Sequence, residues 1–199
     1  YPKKNNDKNH YSLIDLAQKK FSSSKINIKK SKFPRILVCR HILEHSTNIK
    51  SFINSLNLIV RENDYILIEI PTADKFLKNN NFTMVWEEHR FYFKYKNFIN
   101  ILKMLNFKIV FKKIYSYPYE DCCVALISKN NNKKNISFSN NHDDTSFKKY
   151  IKNYRLFKNK IYDFFKKNYL KNKKIVIYGS GHSTTIFLNL FNIQKYVYC

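Results

Sequence analysis

The sequence predicts an α/β chain: the second half of one doubly wound sheet, followed by the start of a second, smaller α/β unit. Two short apolar runs, Arg35-Ile36-Leu37-Val38-Cys39 and Tyr65-Ile66-Leu67-Ile68-Glu69-Ile70, have the length and Ile/Val content of parallel strands covered on both faces. Apolar residues at helical spacing lie between them. Both glycines of the chain fall in a later strand-turn-helix pattern spanning Lys174 to Phe191.

Taken in order, Pro34 precedes the first strand, and Asn48 is placed to cap a helix in which Ile49, Phe52, Ile53, Leu56, Ile59 and Val60 form one face. Glu62-Asn63-Asp64 turns into the second strand, which Pro71 is expected to end. Residues 71–93 then read as a long connection at the strand's C-terminal end, where open α/β sheets bind ligands. A helix follows from Tyr95 to Leu105, with Asn106 as a left-handed cap. Strands at Lys108 to Tyr115 and Cys122 to Ser128 come without an intervening helix, so they are expected as an antiparallel hairpin. Lys129 to Asp144 is polar and Asn-rich, as a linker is. Beyond it come a helix from Phe147 to Tyr169, a buried strand at Lys174 to Tyr178, a Gly179-Ser180-Gly181 turn, a helix from His182 to Phe191 and another strand from Lys195 to Tyr198. The resulting organisation is a basic lead-in at 1–32, a first domain at 33–128, a linker at 129–146 and a second, short domain at 147–199. The sequence opens on Tyr1 and stops just after an apolar run, and the expectation is a fragment cut at both ends.

The formal charge of +23 raises a nucleic-acid partner. Its distribution argues for a solvated surface instead: residues 1–32 carry nine Lys/Arg against two acids and 129–174 fourteen against three, whereas 33–128 hold thirteen against nine. The excess sits in Asn-rich flanks and one helix. Cys39, Cys122, Cys123 and Cys199 include no pair at metal-ligand spacing, and free thiols fit a cytoplasmic location. No run is long enough to span a membrane.

Three stretches carry chemistry. In Trp86-Glu87-Glu88-His89-Arg90-Phe91-Tyr92-Phe93, a His beside a carboxylate can serve as a general base, and the aromatics can wall a pocket; a surface turn with Glu paired to Arg90 is the plainer alternative. In Arg40-His41-Ile42-Leu43-Glu44-His45, two His four residues apart could share a helical face, but no third ligand is evident and no metal is expected. Gly179-Ser180-Gly181 before a helix could meet a phosphate, although the dinucleotide fingerprint would need glycine where Thr184 stands.

Together, Val38-Cys39-Arg40-His41-Ile42-Leu43-Glu44-His45, then Leu67-Ile68-Glu69-Ile70-Pro71, then Glu88-His89-Arg90-Phe91-Tyr92-Phe93 resemble the sugar C-methyltransferase family, class I S-adenosylmethionine-dependent methyltransferases with a C-terminal Rossmann-like domain. The resemblance runs from about 35 to 191 in the family's order. It implies a methyl transfer from S-adenosylmethionine to a carbon of a nucleotide-activated keto-deoxysugar, in polysaccharide biosynthesis. His89 would be the base and Glu88 its partner. Arg40, His41 and Glu44 would lie near the cofactor, and Trp86, Arg90 and Tyr92 near the sugar.

Trp86 stands where the family often has Tyr. The family's glycine-rich cofactor loop and ribose-binding acid have no counterpart in residues 1–34, and its Cys-rich zinc-binding region is also absent from this sequence. Two alternatives remain open at this level: the same fold with an oxygen, nitrogen or non-sugar acceptor, and a basic nucleic-acid-binding protein.

Overall fold

The computed structural model describes residues 32–86, 88–130 and 145–198. Almost all of the lead-in and of the Asn-rich linker lies outside the described residues. The mixed α/β class is the one the sequence predicts. The strands are β1 Ile36–Arg40, β2 Tyr65–Thr72, β3 Phe107–Ser116 and β4 Asp121–Lys129; the helices are α1 Ile49–Ile59, α2 Asp74–Asn79, α3 Tyr95–Met104, α4 Thr145–Leu170 and α5 His182–Phe191. The described residues form two compact units, one of 32–72, 88–117 and 121–130, the other of 73–86, 118–120 and 145–198. Segment 73–86, which sequence order places inside 33–128, packs with the second unit.

The first unit holds a four-stranded sheet in the order β1-β2-β4-β3. β1 and β2 are parallel, in register from Ile36 opposite Tyr65 to Arg40 opposite Glu69, and α1 joins them. That helix starts where the sequence places it, because the Asn48 side chain accepts a hydrogen bond from the Ser51 N–H at 2.8 Å. Its Phe52, Ile53 and Leu56 join Ile66, Ile68 and Ile70 of β2 and Phe98 and Leu102 of α3 in one core. Asn106 takes the expected left-handed conformation after α3, with φ 62°. The β3-β4 hairpin is antiparallel as expected, and its second strand inserts beside β2.

Two strand expectations change. β1 is not covered on both faces: Ile36 and Val38 are 59% and 55% exposed, and among the described residues β1 has β2 alone as a neighbour. An apolar run of five looks the same at a sheet's edge as at its centre. β2 also passes through Pro71 to Thr72, with Pro71 opposite Cys122. Backbone groups alternate sides along a strand, and the Glu69 carbonyl faces β1, where it accepts from His41 N–H at 2.9 Å. Pro71 therefore turns its missing N–H to the same side, beyond the point where β1 has ended.

The two strands are clamped at their starts by Asp64. Its carboxylate accepts from Arg35 N and Nε, each at 3.0 Å, from Arg35 Nη2, and from Arg61 N and Nη2 at 2.9 and 3.1 Å. These bonds, those of Arg35 first, hold the carboxyl far below the usual range against the opposing effect of burial.

The second unit contains α2, a 3₁₀ turn at Phe82–Met84, α4, α5 and a 3₁₀ turn at Gln194–Tyr196. Phe82 is buried among rings, with Tyr150, Tyr154 and Phe157 centroids at 4.8, 5.4 and 5.8 Å. Tyr150 Oη donates to the Asn81 carbonyl at 3.0 Å, and Tyr154 Oη to Leu190 at 2.8 Å.

The expected open connection at 71–93 is thus partly helical. Lys174 to Tyr178 and Lys195 to Tyr198 are not strands: the first joins no ladder, and the second begins in the 3₁₀ turn. One backbone bond, Tyr198 N–H to Ile175 O at 2.8 Å, links them. Ile175 and Ile177 pack on the cluster while Val176 is 70% exposed. The expected burial is absent as well, with Tyr178 fully exposed and Ile175 and Ile177 only half-buried, and among the described residues no neighbouring strand completes a ladder. No helix among the described residues is long and apolar enough to cross a membrane.

Candidate functional site

The C-terminal ends of β1 and β2 bring the separated motifs of the first unit together. His41 follows β1 directly and holds φ at 50°, a left-handed conformation that costs a non-glycine residue roughly 1–2 kcal/mol. Such strain persists where surrounding contacts fix the residue. Here the fixing contacts are its N–H bond to Glu69 O and a ring set between two carboxylates, with Nε2 at 3.2 Å from Glu69 Oε1 and Nδ1 at 3.4 Å from Glu44 Oε1. A ring with one N–H can donate to one of these and a doubly protonated ring to both.

Arg40 grips Glu69 by two bonds, Nε to Oε2 at 2.7 Å and Nη2 to Oε1 at 3.1 Å. This pair, more than any other contact, holds the Glu69 carboxyl below its ordinary range; burial opposes it and His41 assists. The Cys122 thiol on β4 completes this group: a ring nitrogen of His41, a Glu69 oxygen and Cys122 Sγ lie within 4.8 Å of one another.

After His41 the chain makes a 3₁₀ turn, Leu43–His45, which Ser46 closes by donating from N and Oγ to the Leu43 carbonyl at 3.2 and 2.8 Å. The turn buries Glu44 completely. The Glu44 carbonyl accepts from Arg90 N–H at 2.9 Å and Phe91 N–H at 3.1 Å, so the 88–93 loop is docked on the turn by its backbone. His45 Nδ1 lies 3.0 Å from the Glu88 carbonyl. A carbonyl can only accept, so Nδ1 carries a proton, and in the neutral ring Nε2 holds the lone pair. The His45 and His89 rings meet edge to face at 4.7 Å, and Tyr92 stands 5.9 Å from His89.

The structure thus brings His41, Glu44, His89 and Tyr92 into one neighbourhood, with Arg40 anchored to Glu69 at its border. Arg90 joins through its backbone, its side chain being exposed. Glu88 is an exposed residue whose carbonyl meets His45 Nδ1. The carboxylate gathered with His89 is that of Glu44, since Glu44, His45 and His89 offer ligand atoms within 4.8 Å of one another. The two His of the first motif accordingly belong to different groups rather than to one helical face.

Trp86 belongs to the second unit, where its ring stacks on His182 at 3.7 Å and 4°. His182 opens α5 right after Gly181, and its Nε2 lies 3.3 Å from the Val85 carbonyl. Gly179 holds φ at 124°, a value that favours glycine, and the chain bends at Gly181, which caps the start of α5. Glu87 lies outside the described residues.

Two participants, His45 and Glu69, escaped the sequence reading of roles. Glu69 had a signal: a carboxylate inside an apolar strand must be paired to be tolerated. His45 had none beyond membership of its motif. A cavity of about 180 Å³, lined by Arg35, Ile36, Leu37, Ile59, Val60 and Asp64, lies at the start of β1, a strand's length from this chemistry.

No family model matches the chain, and no curated protein matches it. Among solved structures, a magnesium protoporphyrin IX methyltransferase from Synechocystis PCC 6803 with bound SAH is similar over 51% of this chain and 47% of that one, at 12% identity and a TM-score of 0.38. The chain therefore spans about half of that structure's length, and a likeness of this degree carries no argument about activity.

Proposed function

We propose that the chain is part of an S-adenosylmethionine-dependent C-methyltransferase acting on a nucleotide-activated keto-deoxysugar. The observation that carries this reading is the convergence of three motifs far apart in sequence, His41-Glu44-His45, Glu69 and His89-Tyr92, at the C-terminal ends of a parallel strand pair, where α/β sheets bind ligands.

The residues present fit the acceptor side of such a reaction best. The buried carboxylate of Glu44, with His41 beside it, suits a cationic donor by charge, whereas that of Glu69 is already paired with Arg40. A glycine-lined cradle for the nucleoside is not among the described residues of this unit, since both glycines lie in the second.

When bound, the cofactor supplies an electrophilic methyl group. The work of the chain's own residues is to make and hold a carbon nucleophile. A ring nitrogen of His89 takes the proton alpha to the sugar ketone, and the C–H electron pair passes into the carbonyl to give an enolate. His45, fixed by the Glu88 carbonyl, positions the His89 ring edge to face. Tyr92 stands beside the His89 ring, and the bidentate Arg40-Glu69 pair keeps His41 in place.

The test is exchange of that alpha proton in D₂O, followed by NMR on a nucleotide-linked keto-sugar with the gene product that contains this chain. His89→Asn should abolish exchange and Glu88→Gln should leave most of it, because the carbonyl of Glu88 survives that change. Full exchange by His89→Asn would overturn the base assignment. A new methoxy signal in place of a carbon-bound methyl in the methylated product would overturn the acceptor assignment.

A further inference from the structure

We propose that Glu44, His45 and His89 form a binding site for a divalent transition-metal ion of the zinc type. Two imidazoles and one carboxylate are a donor set that such ions take, commonly with a further position open to water or substrate. Nothing in the spacing of the sequence joins these residues; the fold does so by docking the 88–93 loop on the 3₁₀ turn.

Four observations support the site. One ligand atom from each residue lies within 4.8 Å of the other two. Tetrahedral zinc with bonds of about 2.0–2.1 Å needs such atoms about 3.3 Å apart, a closure that side-chain rotation supplies. His45 already has the tautomer a ligand needs: its Nδ1–H is engaged by the Glu88 carbonyl at 3.0 Å, leaving Nε2 to coordinate, which is the outer support typical of metal-bound His. The two rings stand nearly perpendicular, at 83° with centroids 4.7 Å apart, so both can turn a nitrogen toward one point without stacking. Glu44 is fully buried, and His41 Nδ1 lies 3.4 Å from its Oε1, so the carboxylate is backed by a second imidazole.

The neighbouring group of His41, Glu69 and Cys122 has comparable spacing but suits a cation poorly. Both Glu69 oxygens are engaged by Arg40, whose fixed positive charge would face the ion. The two groups therefore give opposite expectations, and Cys122 distinguishes them.

The experiment is a titration of the full 199-residue chain, freed of metal by a chelator, with Co²⁺ as the probe. Visible ligand-field bands and, by calorimetry, one strong equivalent should appear, with no near-ultraviolet thiolate-to-cobalt band. His45→Ala and His89→Ala should each weaken uptake by at least the roughly 10- to 100-fold that loss of an outer partner alone can cost. Cys122→Ser should leave it unchanged. Far-UV circular dichroism verifies each fold, and His45→Asn and His89→Asn substitute for any alanine variant that fails it.

Absence of strong uptake, uptake insensitive to both His substitutions, or a thiolate band that disappears in Cys122→Ser would each overturn the proposal. The assay uses neither methyl donor nor sugar, so its outcome is separate from that of the methyl-transfer reading. A coordinated His89 has committed its lone pair, so cobalt should also suppress alpha-proton exchange and a chelator should restore it.

Discussion

Replacing Asp64 with Asn removes one charge while nearly preserving shape, at the point where β1 and β2 are held in register. Each carboxylate oxygen accepts several donors: Oδ1 from Arg35 N and Arg61 Nη2, and Oδ2 from Arg35 Nε and Nη2 and from Arg61 N and Nε. Whichever oxygen becomes an amide nitrogen then points N–H groups at N–H groups. Breaking a fully buried pair costs about 3–5 kcal/mol. The Arg35 and Arg61 side chains are 25% and 42% exposed, and water keeps part of their solvation. The expectation is therefore about 2–3 kcal/mol, against typical domain stabilities of about 5–15 kcal/mol.

Urea denaturation at pH 7 measures this cost, and acid reveals its origin. The folded-state pKa of Asp64 is depressed, so its contribution is complete above the unfolded value near 3.9 and is lost as pH falls below it, at about 1.4 kcal/mol per pH unit. The gap between the parent chain and Asp64→Asn should accordingly narrow between about pH 4 and pH 2.5. A loss under about 1 kcal/mol, or a gap that stays constant through acid, would refute the argument that the carboxylate's charge holds the strands.

Three further outcomes follow from packing and contacts. Phe82→Ala should cost about 3–5 kcal/mol and flatten the near-UV circular dichroism of the ring cluster; a loss below about 1 kcal/mol would show that the cluster closes over the gap. His182→Ala should change the fluorescence of Trp86, the chain's single tryptophan, and an unchanged spectrum would refute the stack. Burial pushes the Cys39 thiol up to about 11, so mass spectrometry of the Cys39 peptide should find it alkylated by iodoacetamide at pH 8 roughly a hundred-fold more slowly in the folded chain than in urea. Equal rates would refute its burial.

The elements legible in the sequence are those whose signal is local. α1 has both a cap and an apolar face, Asn106 has cap chemistry, the hairpin has two strand-like runs with no helix between them, and β2 has a run of alternately placed Ile residues that the core absorbs. What could not be read depends on partners. The exposure of β1, the passage of β2 through Pro71 and the missing ladder at Lys174 to Tyr178 are all set by which strand lies alongside. The site divides in the same way: the His41, Glu44 and His89 motifs could be read from their residue types, but which carboxylate meets which ring depends on a loop docked through backbone bonds. Backbone carbonyls such as that of Glu88 leave no trace in residue identity.

The edge position that β1 holds among the described residues has a colloidal consequence. Its second side, beside the exposed Ile36 and Val38, has no strand partner among those residues and is a template on which another copy could add a strand. Opposing this is a net charge of +23, which keeps like copies apart over distances set by the ionic atmosphere. That range is about 30 Å at 0.01 M salt and about 8 Å at 0.15 M. The lysine excess, which looked like a signal for nucleic acid, would then act as the chain's dispersant. The chain's dispersal should weaken with salt, an inversion of the usual expectation that moderate salt keeps a protein in solution.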